Sequence, residues 1–209
     1  MAEELTEGTM QKALDFAYDK AINGVAGLDT AEELAESYLE KSGSKVDQVN
    51  SLIRWQNTKA GTSGFITGFG GLIVMPVTLP ANITSVLFVQ IRMIAAIAHI
   101  GGHDIRSDQV KTLVYTCLLG NVAKEVLKDA GIQVGKKIAI NLIKQIPGKV
   151  LTKINQKVGF RLITKFGEKG VINLGKAVPI LGGIIGGAVD IASTNTIGNT
   201  ARDIFIDKK

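Results

Sequence analysis

Apolar residues in this chain recur mostly at intervals of three and four, the spacing that places side chains on one face of an α-helix. No stretch alternates apolar and polar residues for long enough to predict a sheet. The pattern therefore predicts an all-α fold, a single-domain multi-helix bundle. The expected helices cover about 5–25, 27–41, 45–59, 81–99, 107–120, 121–129, 131–146, 149–167 and a last segment ending near 205.

Local signals predict where several of these helices begin and end. Thr30 followed by Glu33 matches a capping box, with Asp29 as a competing cap. Ser107 is expected to cap another helix, and Gly101-Gly102 to close the helix over 81–99.

A long uncharged stretch follows the third helix. Between Lys59 and Arg92, 32 consecutive residues carry no charge, and Pro76 and Pro80 predict a turn within them. A bilayer span needs about 20 apolar residues. The uncharged runs are shorter, with 15 residues over 61–75, 11 over 81–91 and 13 over 177–189.

Runs of this length favour a buried Gly-rich helical hairpin over 62–99, joined by 179–191 as core or as a lipid-facing wall. Glycines four residues apart, as in Gly64 and Gly68, let helix backbones approach closely. We expect 62–74 and 180–190 to pack against each other or against the 81–99 helix. A conditional membrane hairpin and a true span remain the alternatives.

Two lone charges stand in these apolar neighbourhoods, Arg92 and Asp190. At 100° per residue, Asn82, Ser85 and Arg92 fall on one arc of their helix. Because buried charges need partners, we predict that Arg92 and Asp190 form an internal ion pair or line one polar pocket with Asn82 and Ser85. The alternative is that each charge reaches solvent or caps a backbone group.

A basic row spaced by four runs beside an apolar row along the predicted helix over 149–167. The basic row comprises Lys149, Lys153, Lys157, Arg161 and Lys165, and the apolar row Val150, Ile154, Val158, Leu162 and Phe166. Such a helix suits an anionic membrane surface, with the basic row as the lipid or anion contact. An ordinary surface helix, its apolar side in the core and its lysines in water, is the alternative.

The charge distribution supports an anionic partner. Residues 1–60 carry 11 acidic and 6 basic residues, whereas residues 124–176 carry 12 basic and 3 acidic ones. The alternatives are that the two regions attract each other or are solvated faces. Nucleic acid is a weaker candidate because no recognition motif occurs and only Phe160 and Phe166 could stack on bases. A single cysteine, Cys117, and an acidic N-terminus predict a cytoplasmic protein.

Candidate catalytic chemistry is sparse. His99 and His103 have a metal-compatible spacing, but Gly101-Gly102 separates them and Cys117 does not fit zinc spacing. We therefore predict no metal, no cofactor and no catalytic residue. The enzyme alternative is a soluble, hydrolase-like protein with a polar cleft around Arg92, Asp190 and His103.

Four segments resemble the EcsC family in sequence and order. They are "GFITGFGGLIVMPVTLP", "VQIRMIAAIAHIGGHD", "IPGKVLTKINQKVGFRLITKFGEKG" and "VPILGGIIGGAVDIASTNTIGNTARDIF", within residues 64–205. The resemblance implies a bacterial, helical, membrane-associated or secretion-associated protein. Asp190 matches the family pattern, whereas Asn82 stands where the family often has an acidic residue.

These observations predict a non-enzymatic, amphitropic accessory protein, peripheral at the inner face of the membrane. Its expected partner is anionic membrane lipid or an acyl chain, with a transporter or secretion-system protein as a further partner and oligomerisation left open. Residues 1–60 are expected to form acidic helices packed on an EcsC-like core over 61–209. Besides the enzyme, the alternative is an interaction module for a transporter or toxin.

Overall fold

The computed structural model describes residues 6–25, 27–60, 81–132, 140–166 and 184–207, with side chains except at 59–60, 81–85 and 184–192. Within these ranges it contains nine α-helices, a 3₁₀ turn over Gly120–Val122 and no strand, which confirms the all-α prediction. The helices are α1 Glu7–Asn23, α2 Ala31–Leu39, α3 Lys45–Ala60, α4 Ala81–Ile100, α5 Asp108–Cys117, α6 Ala123–Asp129, α7 Ile140–Lys144, α8 Gly148–Phe166 and α9 Ile184–Phe205.

Helix α4 lies at the centre of the bundle. It packs against α1, α2, α3, α5 and α9, and every residue from 87 to 98 is buried. A helix that is apolar on all sides must be covered on all sides, which explains this position. The core therefore forms around α4, and the helices of the first 60 residues supply part of its cover.

The predicted N-terminal caps of α2 and α5 are confirmed. The Thr30 hydroxyl accepts from the Glu33 N–H at 3.1 Å, and the Thr30 N–H donates to the Glu33 carboxylate at 2.7 Å, completing a capping box. The Ser107 hydroxyl accepts from the Val110 N–H at 3.3 Å. These bonds satisfy N–H groups that have no partner inside the helix.

Glycine ends both α4 and α6 in the same way. Gly102 and Gly131 take positive φ angles of 85° and 82°. At each end, the glycine N–H and the next N–H donate back to carbonyls of the last turn, which is a Schellman motif. The end of α4 was predicted correctly. The end of α6 also agrees with the helix predicted over 121–129. Of the next predicted segment, 131–146, residues 140–144 form α7 and residues 133–139 lie outside the described residues.

None of the helices in the described ranges combines the length and apolar character needed to cross a bilayer. The Gly-rich segments predicted to pack together are 62–74 and 180–190; residues 62–74 and 180–183 and the side chains of 184–190 lie outside the described residues. Further along α9, Gly198 lies against Ile53 of α3, and the Asn57 side chain of α3 donates to Asn195 at 3.1 Å. The last helix is thus held along α3 as well as α4.

Candidate functional site

The basic amphipathic helix predicted over 149–167 is present as α8. Its apolar row faces α1, α5 and α6. Ile154, Val158 and Leu162 are fully buried, and Val150 and Phe166 are partly buried against the same core. The burial of this row in protein leaves the opposite face of α8 for contacts with solvent or a ligand.

Two members of the basic row reach acidic residues of α6. The Lys157 amine lies 2.8 Å from the Asp129 carboxylate, and the Arg161 guanidinium lies 3.4 Å from the Glu125 carboxylate. The Lys157 bond and charge hold the pKa of Asp129 below its usual range. Because these pairs are exposed, they orient the side chains more than they stabilise the fold.

The remaining three members of the basic row have surroundings different from those of Lys157 and Arg161. Lys149 is exposed, and the Lys153 amine makes a long 3.5 Å contact with the Asp129 carbonyl oxygen. The Lys165 amine lies 5.4 Å from the centre of the Phe166 ring. Among the described residues, Lys149 and Lys153 therefore have no carboxylate contact at the distances that Lys157 and Arg161 show.

Phe160 lies in the middle of the exposed face of α8, with 60% of its surface in solvent. At 100° per residue, it falls about 20° from Lys149 on one side and about 20° from Lys153 on the other. An apolar groove of about 470 Å³ runs beside Phe160 toward Val126, with Lys157 and Arg161 along it. The surface formed by Lys149, Lys153 and Phe160 is called the α8 face below.

Exposed apolar side chains concentrate near this face. Among the described residues, four large hydrophobic side chains are strongly exposed, and three of them lie between residues 140 and 160. These three are Ile140, Leu142 and Phe160. The same part of the chain carries the excess of lysine and arginine, so apolar exposure and positive charge coincide.

Arg92 lies on α4 with only 4% of its surface exposed. One guanidinium N–H donates to the backbone carbonyl of Asp29 at 3.0 Å, and the guanidinium lies 5.7 Å from the Phe88 ring. Burial lowers the pKa of Arg92, and the charge of Asp29 partly offsets that effect. The side chains of Asn82, Ser85 and Asp190 lie outside the described residues, so the predicted polar pair or pocket keeps only Arg92 as a described member.

The two histidines have separate partners. His99 Nε2 lies 3.0 Å from the Glu36 carboxylate, whereas His103 Nε2 lies 3.0 Å from the Phe205 carbonyl oxygen. Within the described ranges, no three histidine, cysteine or acidic side chains converge as a metal site. Arg92 stands eight residues before the end of α4, about 12 Å along the axis. The described contacts do not bring Arg92 and His103 together.

Sequence patterns did not reveal the contacts that distinguish one basic residue from another. The partners of Lys157 and Arg161 stand 28 and 36 residues away in the sequence, and the partner of Arg92 stands 63 residues away. The exposure of Phe160 had one signal, its place on the basic side of the helical wheel.

Comparison with family models matches residues 2–206 to one described as the EcsC protein family. Comparisons with curated proteins and with solved structures gave no match. The family match extends the resemblance seen over 64–205 to the three N-terminal helices and confirms it. Because the match covers nearly the whole chain, the chain belongs to the EcsC protein family.

Proposed function

We propose that this protein is an amphitropic, non-enzymatic accessory protein that binds anionic lipid surfaces reversibly through the α8 face. The observation that carries the proposal is the exposed Phe160 ring on the same helical face as the exposed Lys149 and Lys153. A helix lies at a membrane interface when a basic face and an apolar group meet the headgroups together. Here the wide apolar stripe of α8 is buried in protein, so Phe160 supplies the apolar contact.

The expected affinity is modest. Each lysine near an anionic surface contributes roughly 1 kcal/mol, and burying one phenylalanine side chain contributes about 2 kcal/mol. Lys149 and Lys153 with Phe160 would together give about 4 kcal/mol, or a dissociation constant on the order of 1 mM. Such binding is reversible and weakens as salt screens the lysines.

The proposal places the protein at the inner face of the membrane. A transporter or secretion-system partner, which the family resemblance implies, would then meet it at that surface. The partner-binding alternative uses the same exposed side chains, Leu142 and Phe160, but requires no anionic lipid. Lipid dependence therefore separates the two functions.

Vesicle flotation tests the proposal. The protein should float with vesicles of phosphatidylcholine and phosphatidylglycerol at low salt, and remain at the bottom with phosphatidylcholine alone or at high salt. Lys149→Gln combined with Lys153→Gln should abolish flotation because it removes both lysines of the α8 face. Phe160→Ser should weaken flotation without changing the net charge.

The matched control removes two positive charges from α3, which does not pack against α8. Lys45→Gln combined with Arg54→Gln should float like the unmodified protein. Absence of flotation with anionic vesicles at low salt would overturn the proposal. An equal loss in the α3 control would show that net charge, and not the α8 face, determines binding.

A further inference from the structure

A second candidate site lies on the opposite part of the bundle, between α2, α3 and α4. A cavity of about 560 Å³ opens there, and its wall includes the buried Arg92 together with Arg54 and Lys41. Ligand pockets in proteins span about 300–1,000 Å³, so the cavity has room for a small organic molecule. Of the described wall residues, Asp29 is the one that carries a carboxylate, so these residues have two positive charges in excess.

Arg92 is the strongest argument for an anionic ligand. Its side chain is almost fully buried, yet its described polar contact is a neutral carbonyl. The Nε–H is buried and has no hydrogen-bond partner among the described residues. A buried cation without a charged partner is costly, and an anion accepting from the guanidinium would remove that cost.

Gln56 supplies an independent sign of a missing partner. Its side chain is 1% exposed, it lies in the cavity wall, and its carbonyl oxygen has no partner among the described residues. In either orientation, the amide offers the cavity a buried polar group. Two unsatisfied groups from different helices, Arg92 and Gln56, thus border the same space.

Two aromatic side chains give the cavity a flat wall. Tyr38 is buried beneath the Lys41 amine, which lies 3.5 Å from its ring centre. Burial also raises the pKa of Tyr38, so its phenol stays protonated and can donate a hydrogen bond. Trp55 also lines the cavity and is half exposed, which leaves ring surface for an apolar group.

We propose that this cavity binds a small organic anion, a carboxylate or phosphate joined to a flat apolar group. The charged group would accept from Arg92 and lie near Arg54 and Lys41, and the apolar group would lie against Trp55. The planar arginine guanidinium can donate two hydrogen bonds to the oxygens of a carboxylate or of a phosphate, so the proposal includes both anions. This site is separate from the α8 face and does not depend on lipid binding.

Trp55 is the only tryptophan in the chain, so its fluorescence reports directly on the cavity. Titrations with phenyl phosphate, phenylacetate and neutral 2-phenylethanol should be followed by Trp55 emission and by thermal unfolding. At least one anion should give a saturable change and a higher melting temperature, and the alcohol should bind about tenfold more weakly. If only phenyl phosphate saturates the site, the ligand is a phosphate; if only phenylacetate does, the ligand is a carboxylate.

Three variants test the cavity residues. Arg92→Lys keeps the charge but loses the planar fork, and should weaken anion binding about tenfold. Arg54→Met and Lys41→Met change exposed side chains that the fold tolerates, and each should weaken binding about threefold. Arg161→Met, on α8, removes the same charge away from the cavity and should bind like the unmodified protein.

Two results would overturn the proposal. One is no saturable response and no change in melting temperature with either anion. The other is that the neutral alcohol binds as tightly as the anions, or that the Arg54 and Lys41 variants bind the anions as tightly as the Arg161 variant does. If Arg92→Lys fails to fold, the Arg54 and Lys41 variants still decide the outcome. Vesicle flotation of Arg54→Met should be unchanged, so this proposal and the lipid proposal fail independently.

Discussion

His103 is a buried imidazole whose pKa is lowered mainly by burial, with a further contribution from Lys45. The Phe205 carbonyl and the charge of Asp207 partly offset that effect. Nε2 contacts the Phe205 oxygen at 3.0 Å, which requires an N–H there. Nδ1 is buried and has no partner among the described residues. A proton on Nδ1 would therefore place an unpaired charge in the core.

A histidine with a lowered folded pKa stabilises the protein above its unfolded pKa, near 6.5, and loses that contribution as pH falls through the folded pKa. We therefore expect the free energy of unfolding to fall as the pH drops below about 6.5. Urea denaturation of His103→Gln should show a smaller fall over this range. His99→Gln is the control, because its ring is partly exposed beside Glu36. An undiminished fall in the His103 variant would contradict the assignment.

Cys117 should be chemically silent in the folded protein. Its side chain is fully buried, and burial raises the pKa of its thiol well above the usual value. Because the thiolate is the reactive form, a thiol reagent such as Ellman's reagent should label Cys117 only through unfolding. Labelling rates measured across a urea series should follow the unfolded fraction. Rapid full labelling without denaturant would show that the α5 end opens locally.

At the scale of the helix, Gly198 on α9 is required by the approach of α3. A Cβ added there would lie 2.8 Å from Ile53 Cγ1 and 3.1 Å from Ile53 Cγ2. Overpacking of this kind costs about 1–3 kcal/mol, whereas alanine gains about 1 kcal/mol over glycine inside a helix. Gly198→Ala should therefore lower the free energy of unfolding by about 1 kcal/mol.

Gly159 in α8 offers the matched comparison. A Cβ added there meets no atom within 4 Å, so Gly159→Ala should raise the free energy of unfolding by about 0.5–1 kcal/mol. Both variants can be measured by urea denaturation under one set of conditions. Opposite changes in the free energy of unfolding would confirm that packing against Ile53 determines the effect of alanine at Gly198. A gain in both variants would mean that Ile53 moves aside.

Helix ends were predictable where the signal is local. The Thr30 capping box, the Ser107 cap and the Gly102 terminus each depend on residues within one turn. Gly131 forms the same terminus as Gly102, and it closes the helix that was predicted to end near residue 129. The buried row of α8 was also predictable, because helical periodicity alone places Ile154, Val158 and Leu162 together.

Contacts between distant segments were not predictable in this way. Whether Lys157 meets Asp129, or Arg92 meets Asp29, depends on which helices become neighbours. Periodicity states which face of a helix is apolar but not which helix covers it. The cavity beside Trp55 is a further example, since its wall comes from three helices. Periodicity likewise did not reveal that Arg92 donates to the Asp29 carbonyl.

On the scale of the whole molecule, opposite charge does not explain how the acidic and basic regions meet. Lys157 and Arg161 pair with α6, and Lys111 of α5 pairs with Asp15 of α1 at 2.6 Å. Among the described residues, no ion pair joins residues 1–60 to the basic region 124–176. The first 60 residues contact the rest through apolar side chains around α4 as well as through pairs such as Lys111 with Asp15. The first three helices should therefore be essential to the fold although they carry the opposite charge.

Deletion of residues 1–60 tests this dependence. The buried side chains lost from the core would include six aliphatic ones, namely Met10, Leu14, Ile22, Leu34, Leu52 and Ile53, besides Tyr18, Tyr38 and Val49. At about 1.5–3 kcal/mol each, the burial of the six aliphatic side chains amounts to roughly 9–18 kcal/mol. A domain's net stability is only about 5–15 kcal/mol. The fragment 61–209 should therefore show no cooperative thermal transition by circular dichroism, whereas the full chain should unfold in one transition.

Addition of the separate 1–60 fragment should restore cooperativity, because the apolar surfaces of α4 and α9 would regain their cover. A fragment that melts cooperatively alone would show instead that residues 61–209 form an independent domain.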